Sequence, residues 1–158
     1  MLRFFLNFLF LGFLSASDLA VGRELEQLLQ DDAAPPGVVI EILTSDASGL
    51  EWALPRAGEA IRQLRQRFPA LPVAIVSHGR EEFALTRSQA GKHLAAHQLV
   101  NQLKRDDDVQ LHVCGAHAEM FKISSEDFPE YVDVSASGPA QINDYKALGY
   151  EELLIDAR

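Results

Sequence analysis

Leu71-Pro72-Val73-Ala74-Ile75-Val76-Ser77-His78-Gly79 is the stretch whose reading decides the fold. Val73 to Val76 is apolar throughout, with no polar residue at alternate positions. A short β-branched run of that kind is covered on both faces, which is the mark of a parallel sheet between two layers of helix. Upstream, Val38-Val39-Ile40-Glu41-Ile42-Leu43 follows Pro and Gly and reads as a first strand of the same type. Between the two, Ala57, Ile61, Leu64 and Phe68 recur at helical spacing from Arg56 to Phe68, while Arg62, Arg65 and Arg67 face away and Pro69 stops the helix. Downstream, Ala96, Leu99, Val100 and Leu103 mark a helix between about Ser88 and Lys104, followed by a solvated Asp106-Asp107-Asp108 turn. Val109 to Val113 is a third strand, with a short helix starting near Gly115. Val132-Asp133-Val134 is a fourth strand, Pro139 to Leu148 a helix closed by Gly149, and Glu152 to Ile155 a fifth strand. The alternation predicts one α/β domain with a mainly parallel five-stranded sheet.

Composition narrows the function. A chain of 158 residues, 47% hydrophobic and 23% charged, is ordinary globular material, which excludes disordered, collagen-like and coiled-coil readings. Lysine and arginine number 14 against 23 acids, and a net charge of −9 repels nucleic acid and anionic membrane surfaces. The single cysteine, Cys114, excludes an intramolecular disulfide, a four-cysteine zinc site and lipid attachment near the N-terminus. There is no glycine-rich phosphate loop, no Gly-x-Ser-x-Gly elbow and no two-carboxylate signature, so no cofactor is expected.

Residues 1–17 read as a signal peptide. Arg3 supplies positive charge, Phe4 to Leu14 an apolar run, and Ser15-Ala16-Ser17 the small residues before a cleavage point at Asp18. The run falls short of the roughly 20 apolar residues a membrane span needs. Residues 18–36 follow as a short helix carrying Leu25, Leu28 and Leu29 and an Asp-Asp-Ala-Ala-Pro-Pro linker, and the α/β domain occupies 37–158. After processing, no membrane span is expected, and the location is periplasmic.

Ligands of parallel sheets bind at the carboxyl ends of the strands. His78 closes the second strand there and Cys114 the third. Cys114-Gly115-Ala116-His117 sets a thiol at the opening of a helix, where the dipole and unpaired amides favour thiolate. Gly115 leaves backbone amides open to an anion, and His117 on the next turn is a proton partner or a positive charge. The competing reading is that Cys114 is a small buried hydrophobe. His93 and His97 have a helical metal-ligand spacing but no glutamate between them, so they read as structural, as does His112 within a strand. A zinc site from Cys114, His117 and His78 has suitable ligand types without a spacing signature.

Together, Ile75-Val76-Ser77-His78-Gly79, the third strand running into Cys114, and Ser137-Gly138 through Asp144-Tyr145-Lys146-Ala147-Leu148-Gly149-Tyr150 resemble the DsrE/DsrF-like family. They are most similar to its stand-alone, often exported branch of intracellular sulfur oxidation proteins. Asp46 and Trp52 fit that branch, and the resemblance spans about Gly37 to Asp156. It implies a flavodoxin-like three-layer domain and a homo-oligomer, trimer or hexamer. It also implies a sulfur-relay role in which a cysteine at the position of Cys114 carries sulfur as a persulfide between a donor and an acceptor thiol, a protein among the candidates. His117 then tunes or protonates the sulfur, His78 lines the pocket and the Gly115 amide stabilises the anion. The alternative is a non-catalytic periplasmic binding module that holds a metal or small ligand through the same Cys and His side chains.

The leader reading is checked by N-terminal sequencing of protein expressed from the full gene. The expected first residue is close to Asp18, and soluble cytoplasmic protein that keeps Met1 would sink it.

Overall fold

The computed structural model describes residues 24–157, so the expected leader and its cleavage point lie outside the described residues. Residues 24–30 are helical (α1). There follow β1 (Val38–Thr44), α2 (Leu50–Arg67), β2 (Val73–Ser77), α3 (Leu94–Asp106), β3 (Gln110–Cys114), α4 (Gly115–Met120), β4 (Asp133–Ser135), α5 (Gly138–Ala147) and β5 (Glu151–Ala157). The five strands form one sheet in the order β4-β3-β2-β1-β5, and every pairing is parallel. This is the flavodoxin-like three-layer α/β architecture. Among the described residues, no helix is long and apolar enough to cross a membrane.

Alternation along the strands sorts side chains to two faces. Val38, Ile40, Ile42, Val73, Ile75, Leu111, Val113, Leu153 and Ile155 point to the larger core, where they meet Leu54, Ile61 and Leu64 of α2, Val100 and Leu103 of α3 and Ala118 of α4. Leu28 of α1 is buried in the same core, with Leu25 and Leu29 packed beside it. On the opposite face Val39, Ala74 and Val76 meet α5 through Ile142 and Tyr145, with Tyr150 packed beside them. Three crossovers therefore lie on one face and a single helix on the other, as right-handed connections require for this strand order.

The helix boundaries differ from the sequence expectation in two places. α2 starts at Leu50, well before Arg56, and runs through Pro55. Burial of Leu50, Ala53 and Leu54 against the sheet outweighs the backbone hydrogen bond that proline removes near the helix start. α3 starts only at Leu94, because residues Arg87–Gln89 take a separate 3-10 turn.

α4 ends on a left-handed residue. Ile123 N donates to Ala118 O at 3.0 Å and Lys122 N to Glu119 O at 3.0 Å, a Schellman closure. Lys122 itself has φ 60°, at the position that glycine usually fills. A side chain there costs roughly 1–2 kcal/mol of backbone energy, part of which glycine would return as unfolded-state entropy. Lys122→Gly is expected to stabilise the protein by about 0.5–1 kcal/mol in urea unfolding, and a loss of stability would contradict the strain assigned to Lys122.

Candidate functional site

β3 leaves the sheet toward the face carrying α4, and β4 leaves it toward the face carrying α5. The carboxyl ends of these neighbouring strands therefore diverge, and the crevice between them is the sheet's topological switch point, the position at which α/β sheets bind ligands. Cys114, the last residue of β3, stands at that point with 5% of its surface exposed. Across the crevice, Ala116 N donates to Ala136 O at 3.1 Å and Ser135 Oγ to Val113 O at 3.0 Å.

Cys114 caps α4, and its Sγ accepts from His117 N at 3.4 Å. The amide directed at the sulfur is thus that of His117, two residues on from the expected Gly115. Gly115 has a different use. A Cβ there would lie 2.9 Å from Ser135 O and 3.3 Å from Val134, so glycine lets α4 start hard against β4. Gly138 opens α5 in the same way, for a Cβ on it would sit 2.6 Å from His78 Cβ and 3.3 Å from Cys114 Cβ. His78 and Cys114 are thereby brought to the same glycine. The ring of His78 nevertheless turns elsewhere: its Nε2 is 2.5 Å from Glu41 Oε1. That contact, above all the hydrogen bond, holds the Glu41 carboxyl below its ordinary range.

Two residues that sequence reasoning missed organise the site. After His78-Gly79 the chain makes a 3-10 turn, Arg80–Leu85, which folds Glu81 and Glu82 inward until neither has any exposed surface. Glu81 Oε2 accepts from Thr44 N at 2.8 Å and Thr44 Oγ1 at 3.0 Å, and its Oε1 from Ser77 Oγ at 2.8 Å and Gly79 N at 2.9 Å. Glu82 Oε2 accepts from Cys114 N at 2.8 Å, and its Oε1 lies 2.9 Å from His117 Nδ1. One buried carboxyl group therefore fixes both the backbone of Cys114 and the ring of His117. Burial pushes the Glu82 carboxyl up to about 8; the Cys114 amide opposes the rise and the neighbouring Glu81 charge adds to it. Burial also lowers the His117 pKa, with Glu81 pulling it back and His78 and Arg80 adding to the fall. Both shifts favour a carboxylic acid beside a neutral imidazole at neutral pH, an arrangement in which Glu82 donates to Nδ1 and the ring proton sits on Nε2. Of the two roles expected for His117, the surroundings favour proton partner over positive charge. Its ring stacks on Phe83 at 5.0 Å and meets Phe121 edge-on at 5.2 Å, and Arg80 lies over Phe121.

The remaining histidines are satisfied within the fold. His93 Nδ1 is 3.0 Å from Glu51 Oε1, and His97 bridges Tyr131 Oη at 2.6 Å and Ala84 O at 2.9 Å. His112 Nε2 is 2.9 Å from Tyr145 Oη. Among the described residues, no group of three His, Cys, Asp or Glu side chains is arranged to hold a metal ion.

The three-layer α/β class is shared with known structures. A similar solved structure is that of a protein of unknown function, MTH1491 from Methanobacterium thermoautotrophicum. It is 19% identical, with a TM-score of 0.56, and the match covers 74% of this chain and 96% of that one. That likeness is one of fold. No family model matches the sequence, and no curated protein does.

The raised carboxyl predicts a pH dependence of unusual sign. Glu82 in the folded protein holds a proton that the unfolded chain releases above its ordinary value of 4.5. The stability this proton confers is complete below that value and is lost as pH rises to about 8. Glu82→Gln keeps an acceptor for Cys114 N and a donor for Nδ1 but cannot ionise. The unfolding free energy of the native protein from urea titrations should fall between about pH 5 and pH 8.5 by an amount on the order of a few kcal/mol, and the variant should lose most of that slope. An identical slope in both would remove Glu82 as its cause.

Proposed function

We propose that the chain is a sulfur carrier of the DsrE/DsrF-like kind, in which Cys114 receives a sulfur atom from one thiol and passes it to another. The observation that carries this reading is the joint placement of Cys114 and His117 by Glu82 at the crevice between β3 and β4. A packing cysteine needs no proton-bearing imidazole on the next turn, nor a buried carboxyl group to hold both.

The transfer needs no outside oxidant. The Cys114 thiolate attacks the outer sulfur of a donor persulfide; a new S–S bond forms on Cys114, and the donor S–S bond breaks with its electron pair on the leaving thiolate. His117 supplies that thiolate with the proton on Nε2, and the Glu82 proton follows to Nδ1. In the second half His117 Nε2 takes the proton of an acceptor thiol as its sulfur attacks the outer sulfur, Nδ1 returns its proton to Glu82, and Cys114 leaves as the thiolate it began as. The amide of His117, already directed at Sγ, stabilises the anion at each end of the cycle. His78 walls the crevice beside Gly138. Export to the periplasm and assembly as a trimer or hexamer belong to the same reading. Met120 and Phe121, 79% and 44% exposed at the end of α4, offer apolar surface beside the site for a subunit or a partner protein.

Mass spectrometry of the intact protein after polysulfide treatment tests the proposal. Native protein should gain about 32 Da, and Cys114→Ser should gain nothing, since serine forms no S–S bond. His117→Ala should slow the labelling several-fold near neutral pH. It also leaves Glu82 Oε1 without a partner, at a cost of about 1–3 kcal/mol in stability. Resistance of native Cys114 to both polysulfide and iodoacetamide at about pH 7.5 would make it a core residue and end the carrier reading.

A further inference from the structure

The chain has four lysines. Lys104 is paired with Asp133 and Lys146 with Glu152. The other two, Lys92 and Lys122, come from distant parts of the sequence and line one cavity of about 370 Å³. Neither makes an ion pair or side-chain hydrogen bond with a described residue. Both are exposed, in a protein with a net charge of −9 and an excess of acids to pair with. Lys122 also holds the left-handed backbone position that a glycine would occupy without strain.

The rest of the cavity suits an organic molecule. Phe83 and Ile123 give it apolar walls, and Ser88 and Gln89 add polar groups. The one acid that lines it, Asp127, is engaged: its Oδ2 accepts from Ser124 N at 2.7 Å and Ser124 Oγ at 3.0 Å. The lining histidine, His93, has Nδ1 on Glu51. Asp46 feels Lys92 at longer range, while its own carboxylate is bound to Ser48 N. The volume lies within the range of small-molecule sites, about 300–1,000 Å³.

We propose that this cavity is a binding site for a small organic dicarboxylate, with its charges against Lys92 and Lys122 and its apolar body on Phe83 and Ile123. The site stands whether or not Cys114 carries sulfur. It does adjoin that chemistry, because the Phe83 ring that lines the cavity is the one stacked on His117. Occupancy is therefore felt at the imidazole.

Calorimetry with benzene-1,3-dicarboxylate as the probe, at low ionic strength, tests the site. The native protein should bind it with a dissociation constant of about 1 mM or below, and more weakly as salt is added. The neutral benzene-1,3-dicarboxamide should not bind. Lys92→Gln and Lys122→Gly should each weaken binding roughly ten-fold, since each removes a charged donor. Lys122→Gly should do so while its denaturation midpoint rises, which separates lost binding from lost folding. Lys104→Gln should leave the affinity as it was. Saturation should shift the ring-proton NMR signals of His117. No binding of the dicarboxylate, equal binding of the diamide, or unchanged affinity in both cavity variants would each overturn the proposal.

Discussion

Two adjacent carboxyl groups with no access to water, Glu81 and Glu82, hold together the carboxyl ends of three strands. Glu81 ties β1 to β2 through Thr44, Ser77 and Gly79, and Glu82 ties the turn that carries it to β3 through the Cys114 amide. Burying such groups is unfavourable unless each is fully hydrogen-bonded. Glu81 meets the condition with four donors, Glu82 by keeping its proton and sharing it with His117. The turn Arg80–Leu85 cannot shift by even one residue without stranding one of the pair, so the end of the sheet that forms the crevice is held to a single arrangement. Gly79 belongs to the same constraint: a Cβ there would fall 2.4 Å from Thr44 O.

That arrangement also explains why the crevice is chemically asymmetric. On the α4 side the groups are proton-bearing and partly apolar: His117 lies between Phe83 and Phe121, above a protonated carboxyl. On the α5 side His78, Glu41, Glu152 and Lys146 form a polar chain over the sheet, and His78 is drawn into it. Cys114 sits between the two, and Gly138 lies against both it and His78.

The central strands were legible in the sequence because most of β1 and every residue of β2 are buried, and a run such as Val73 to Val76 satisfies no other environment. Cys114, Gly115 and His117 were legible because they lie on one local segment whose strand-to-helix junction is itself predictable. The limit came where sequence signals conflict with long-range burial. The apolar spacing is clear only from Arg56 on, Pro55 disfavours helix just before it, and only the sheet beneath Leu50 and Leu54 explains the start of α2 at Leu50. Glu81 and Glu82 follow a strand end in a polar stretch and look solvated. Nothing local shows that a 3-10 turn folds them under the sheet to reach Thr44 and Cys114. Lys122 escaped notice for a related reason, since the residue that announces a left-handed helix end is a glycine, and here a lysine takes its place.

The strand order has a consequence for how the chain acquires its structure. β1, the first strand in the described chain, is flanked on one side by β2, but its other side is covered only by β5, the last. Until β5 arrives, Val39, Ile40 and Ile42 lie on an unpaired edge of a strand built almost wholly of β-branched residues. Such an edge recruits other chains readily. Folding from one end to the other would leave it open longest, so the native topology rewards concerted closure of the sheet. Nascent chains are at greatest risk of self-association just before β5 docks.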